Sequence, residues 1–100
     1  SWIKTPLPIV TSEDSKSSYY MYWIQLEDEQ TRDELAMYLK KNDIYTTFRY
    51  YPLHLVPYYQ STEQLPNAER ASRNTLCLPL HQGLAINDIQ YVTDKIKDFK

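Results

Sequence analysis

One hundred residues with a net charge of −2, 42% hydrophobic and 24% charged, make one folded domain rather than a disordered chain. The single glycine, Gly83, excludes glycine-rich phosphate loops, which need several. One cysteine, two histidines, dispersed basic residues and no apolar run near the roughly 20 residues of a membrane span exclude an internal disulfide, zinc-type Cys/His spacing, a nucleic-acid-binding stripe and a membrane helix.

Residues 1–18 are expected to be an extended entry segment. Pro6 and Pro8 disfavour helix, and Ile3, Leu7 and Ile9 alternate as on an edge strand or an arm. The start carries no signal-peptide pattern, and with a lone Cys77 a reducing, cytoplasmic setting is expected. Residues 19–26 predict the first strand, because Tyr19, Tyr20, Tyr22, Trp23 and Ile24 are aromatic or β-branched. Thr31 and Glu34 have capping-box spacing, so a helix is expected from Thr31. Leu35, Tyr38 and Leu39 form its apolar stripe, and Asn42 suits the left-handed position that ends it.

A short strand is expected over residues 44–48, ended by the turns that Pro52 and Pro57 impose. Residues 65–74 predict a helix with Pro66 in its first turn, and residues 75–78 a strand that Pro79 stops. For the last helix, Asn87 is the expected N-cap with Gln90 at the capping-box position, and Ile86 is expected to staple onto Tyr91. Ile89, Val92, Ile96 and Phe99 share one face. The order predicts an α+β fold: a small, mostly antiparallel sheet with helices packed on it.

Residues 48–54, Phe-Arg-Tyr-Tyr-Pro-Leu-His, hold the densest set of groups suited to a polar, anionic ligand. Arg49 reads either as a guanidinium aimed at phosphate or carboxylate, or as a surface arginine stacked on Tyr50 or Tyr51. Tyr50 and Tyr51 can stack or donate, or simply line the two sides of a strand end. His54 reads as an acid, base or donor, or as a structural histidine under the Pro52–Pro57 loop, since no carboxylate is near it in sequence. His81 and Cys77 read as structural and inert, and Glu27, Asp28 and Glu29 as a solvated charge run.

Taken together, these landmarks resemble the C-terminal small domain of the DegT/DnrJ/EryC1/StrS sugar aminotransferases. The matching stretches are the aromatic strand, Arg49-Tyr50-Tyr51-Pro52-Leu53-His54, Leu65-Pro66-Asn67-Ala68-Glu69-Arg70-Ala71-Ser72, Leu76-Cys77-Leu78-Pro79-Leu80-His81 and residues 84–88. The resemblance implies the small domain of a fold type I, pyridoxal-phosphate-dependent transaminase, covering residues 19–100. It implies a homodimeric parent enzyme acting on a nucleotide-linked keto-deoxy sugar, with Arg49, Tyr50 and His54 as substrate contacts.

It also implies that the catalytic lysine and most of the cofactor site belong to a large N-terminal domain that is absent here. The chain alone is then expected to be inactive, with no catalytic, cofactor-binding or metal-binding residue of its own. The alternative is a free-standing, non-catalytic binding domain with an aromatic surface.

Overall fold

The computed structural model describes residues 2–6 and 12–100. Leu7 and Ile9, on which the alternating entry strand partly rests, lie outside the described residues. The sheet is built on β1 (Tyr22–Gln25) and β2 (Thr75–Leu78), paired antiparallel with Trp23 opposite Cys77 and Ile24 opposite Leu76. Single antiparallel bridges extend it on both sides, Lys4 to Gln25 and Thr47 to Cys77. Three helices accompany it: α1 (Glu29–Lys41), α2 (Pro66–Asn74) and α3 (Ile86–Phe99). The α+β architecture expected from the sequence is the one observed.

The core lies where α1 covers the sheet. Arg32, Leu35 and Leu39 fall on one helical face, three and four residues apart, and all three are buried. Leu35 and Leu39 meet Ile24, Leu26, Ile44 and Leu76. Each buried leucine contributes about 1.5–3 kcal/mol relative to exposure. Trp2 closes one end of this core against Phe99 of α3, with ring centroids 5.9 Å apart, and Tyr38 meets Phe99 from α1 at 5.3 Å. The entry segment therefore supplies part of the packing.

Several boundaries differ from the sequence expectation for local reasons. β1 begins at Tyr22 rather than at residue 19, because Tyr19 is left-handed (φ 48°) and its N–H bonds to Ser17 Oγ. Asp28, not Thr31, caps α1: its carboxylate accepts the Thr31 N–H at 2.7 Å. Hydrogen bonds from Thr31, backbone first and side chain second, hold the Asp28 carboxyl below its ordinary value. At the other end Asn42 is not left-handed. Its amide side chain donates to the Tyr38 carbonyl, and Asp43 takes the positive φ of 63°.

The strand expected over residues 44–48 shrinks to the Thr47 bridge, whose two bonds to Cys77 measure 2.9 and 3.1 Å. In that register the next pair towards Tyr45 would need the N–H of Pro79, which proline lacks. Helix α3 starts two residues early. Ala85 is its cap residue and the Asp88 carboxylate accepts the Ala85 N–H at 2.9 Å, while Gln90 bonds instead to Asp94. Ile86 and Ile89 are exposed, so the expected staple is not a buried one, and the Tyr91 hydroxyl donates to the Asn42 carbonyl.

Candidate functional site

Arg49, Tyr50 and His54 come together on one segment, but they face different surroundings. The segment leaves the sheet at Thr47 and returns to the fold at α2. Its start is anchored from below. The Arg32 guanidinium, almost fully buried, binds the Asp33 carboxylate at 2.7 Å and the Ser72 carbonyl at 3.1 Å, and lies 4.3 Å beneath the Phe48 ring. Arg32 thus links α1, α2 and the first residue of the segment. A desolvated cation paired in this way is structural, because its charge is already used.

Beyond Phe48 the groups open outward. Arg49 and Tyr50 are exposed and joined by a cis peptide. The Arg49 guanidinium lies 5.7 Å from the Tyr50 ring centroid, so the stacking expected of a surface arginine is present, and no carboxylate engages it among the described residues. Tyr20, just before β1, has its phenol beside that of Tyr50. Tyr50, through the polar contact between the two hydroxyls and then through charge repulsion, raises the Tyr20 phenol above its ordinary value, while Arg49 pulls in the opposite direction.

Arg49 therefore borders three depressions. One, of about 220 Å³, lies towards Tyr20, Tyr45 and Cys77. A second, of about 410 Å³, lies towards Tyr51, Glu69 and Arg73. The third, of about 570 Å³, lies towards Leu53, Ala68 and Thr75. A cleft of about 520 Å³ between Trp2, Lys4, Glu27 and Arg70 contains none of the candidate residues, and its Arg70 guanidinium is bonded to Asn67.

Pro52 and Pro57 each open a one-turn 3₁₀ element, Leu53–Leu55 and Pro57–Tyr59, which stiffens the segment. His54 in the first of these turns inward. Its side chain is 7% exposed, and Nε2 lies 3.3 Å from Oε2 of Glu69, whose side chain is 27% exposed. The separation suits an ion pair. The angle does not make a hydrogen bond, and Nε2 has no other partner among the described residues. The sequence left His54 without a carboxylate because Glu69 is fifteen residues downstream, on α2, and only the return of the chain brings it back.

His81 is exposed, and its Nδ1 accepts the Gly83 N–H at 3.1 Å, which shapes the turn before α3. Cys77 is buried, and that burial pushes its thiol up, partly offset by Thr47 and Arg49. A thiol in this environment is a poor nucleophile. Among the described residues no group of three His, Cys, Asp or Glu converges as a metal site, and no helix is long and apolar enough to cross a membrane.

Comparison with known proteins identifies the family of the chain. A dTDP-4-dehydro-2,3,6-trideoxy-D-glucose 4-aminotransferase of Saccharopolyspora spinosa is 43% identical over 91 residues, which is 91% of this chain and 23% of that protein. A GDP-perosamine synthase of Vibrio cholerae is 27% identical over 93% of this chain and 28% of its own length. The crystal structure of the aminotransferase TlmJ from Streptoalloteichus hindustanus superposes with a TM-score of 0.86 at 43% identity, over 97% of this chain and 26% of that one. The chain spans about a quarter of the length of these relatives. The model of the DegT/DnrJ/EryC1/StrS aminotransferase family matches residues 3–97, and the chain belongs to that family.

Proposed function

We infer that this chain is the small domain of a pyridoxal-phosphate-dependent aminotransferase acting on a nucleotide-linked keto-deoxy sugar. The observation that carries the reading is a family match over almost the whole chain, to proteins about four times longer whose names describe sugar aminotransferases. In this reading residues 19–100, completed by the packing of Trp2 and Ile3, form the wall on the substrate side. Arg49 and Tyr50 offer the nucleotide-sugar an exposed guanidinium and an exposed phenol, and His54 supports the same loop from within. A diphosphate suits such donors, because hydrogen bonds to a charged oxygen are short and about twice as strong as neutral ones.

The residues of this chain do not fit the cofactor itself. Among the described residues Lys4, Lys16, Lys40, Lys41, Lys97 and Lys100 are exposed, and Lys95 is half-buried against the Tyr91 ring. None has the desolvated pocket that turns a lysine into an amine nucleophile at neutral pH. Pyridoxal phosphate, the group that makes the α-amino chemistry possible, is therefore assigned to the large domain of the parent enzyme, and this chain alone to inactivity. The parent is read as a soluble, cytoplasmic homodimer whose remaining parts cover the exposed tyrosines.

The test is kinetic, in the full-length enzyme carrying this domain. Arg49→Ala is expected to raise KM for the nucleotide-sugar by roughly 10- to 100-fold, the worth of a hydrogen bond to a charged group, with a much smaller fall in kcat. An unchanged KM would remove Arg49 from the substrate site. A second reading, a free-standing interaction domain, draws on the exposure of Tyr19, Tyr20, Tyr51 and Tyr58. It would be favoured if the chain alone self-associates through those rings and its 48–54 loop ignores added nucleotide-sugar.

A further inference from the structure

The candidate loop depends on very few contacts. Between residues 51 and 64 the backbone bonds are local: Leu55 to Pro52, Val56 to Leu53, Tyr59 to Val56 and Gln60 to Pro57. Tyr51, Leu53, Tyr58 and Tyr59 all face water. Among the described residues, one polar contact ties this stretch to another element, that of His54 with Glu69. The opposite end of the loop is held by the Thr47–Cys77 bridge and by Arg32 under Phe48. Glu69 itself is well fixed. It lies in the first turn of α2, where the positive end of the helix dipole favours a carboxylate, and its own N–H bonds to the Leu65 carbonyl.

We propose that Glu69 is a positioning residue for substrate binding: through the buried His54 it closes the far end of the 48–54 loop and so holds Arg49 and Tyr50 in their receiving geometry. The inference rests on the substrate-side reading of that loop. Its physical basis is entropy. Each backbone residue left free loses entropy when it is ordered, and a loop tethered at one end must be ordered again each time ligand binds. His54 Nε2 is buried with no hydrogen-bond partner among the described residues, so the Glu69 carboxylate 3.3 Å away is the polar group that holds the imidazole inward, and without it the ring is free to turn out towards water.

The experiment uses the full-length enzyme with Glu69→Ala, Glu69→Gln, His54→Ala, the double Glu69→Ala/His54→Ala, and Arg49→Ala as reference. Each of the first three is expected to raise KM for the nucleotide-sugar by roughly tenfold while kcat stays within about twofold, because ordering rather than chemistry is affected. The double variant is expected to be no worse than the poorer single variant, since the two residues form one contact. A role confined to stability would lower the melting temperature and leave that split absent. Should Glu69→Ala fail to fold, Glu69→Gln keeps the volume and carries the test. An unchanged KM in the Glu69 variants, or single effects that multiply in the double, overturns the proposal. If Arg49→Ala raises KM and the Glu69 variants do not, the tether alone fails; if Arg49→Ala is also silent, the substrate reading of the loop fails with it.

Discussion

Leu35, Leu39 and Leu76 are wholly buried between α1 and the sheet, whereas Tyr51, Leu53 and Tyr58 leave most of their surface in water. The first group sits on regular elements whose backbone bonds are made internally. The second sits on two single 3₁₀ turns with only local bonds. Both regions are rich in apolar atoms, so composition does not separate them. What separates them is whether the surface is already covered. In the sheet-and-helix region apolar area is spent on holding the chain together. In residues 48–64 it is presented outward, and the segment keeps its shape through prolines and a few anchors from neighbouring helices. Stability and recognition are thus assigned to different residues.

The sharpest way to break this contrast is to truncate one large side chain from each region. Leu76→Ala removes a fully buried side chain from the middle of β2, where it faces both α1 and Ile24. A loss of about 2–5 kcal/mol in urea-unfolding stability is expected, from the lost transfer energy and the cavity left behind. That is a large fraction of what a domain of this size possesses. Tyr58→Ala, at a side chain 86% exposed, is expected to change stability by about 0.5 kcal/mol or less. Comparable losses for the two would show that the exposed aromatic segment is folded onto the core in solution.

Arg32 is the bridge between the two regions, and its replacement has an intermediate effect. Arg32→Met keeps the apolar stem and removes the guanidinium from Asp33, the Ser72 carbonyl and the Phe48 ring. The Ser72 carbonyl then loses its partner, at an expected cost of about 1–3 kcal/mol. Chemical denaturation measures the loss, and amide exchange of Thr47, next to Phe48 and bonded to the Cys77 carbonyl, should quicken beyond what the global change explains. An unchanged melt with unchanged exchange would make Arg32 a dispensable charge and leave the start of the loop without its anchor.

How much of this was readable beforehand follows from the range over which each signal acts. The α1 stripe of Leu35 and Leu39, the β2 stretch ended by Pro79, and α2 opened by Pro66 are set by neighbours within a few residues, and they appear where periodicity and proline chemistry put them. Caps were less legible. Asp28 and Asp43 took the roles expected of Thr31 and Asn42, and Ala85 with Asp88 those expected of Asn87 and Gln90, because several residues compete at each helix end and geometry selects one. The strand expected at residues 44–48 failed through a residue more than thirty positions on, Pro79 just past the end of the facing strand. The candidate loop was visible as a cluster of residue types. Its supports, Arg32, Glu69 and Tyr20, come from three other elements, and no local pattern announces them.

Tyr20 provides the finest probe of the contrast, because its phenol reports on the loop without bearing on the core. The neighbouring Tyr50 hydroxyl is the main reason that it titrates above the ordinary 10.0, and Arg49 opposes the shift. A raised phenol pKa means that the neutral form is favoured in the folded chain, so the Tyr20–Tyr50 contact is fully present below 10.0 and is lost as pH rises through the higher folded value. Tyr50→Phe should therefore lower the Tyr20 titration towards 10.0, whereas Arg49→Ala should raise it further. Both are measurable by ultraviolet phenolate absorbance or by NMR of the Tyr20 ring. Neither substitution is expected to change global stability noticeably, since all three side chains are exposed. If Tyr20 titrates identically in Tyr50→Phe and in the parent sequence, the two rings do not meet in solution. The loop would then be free of Tyr20, and its position would rest on the Thr47 bridge and the anchors at Phe48 and His54.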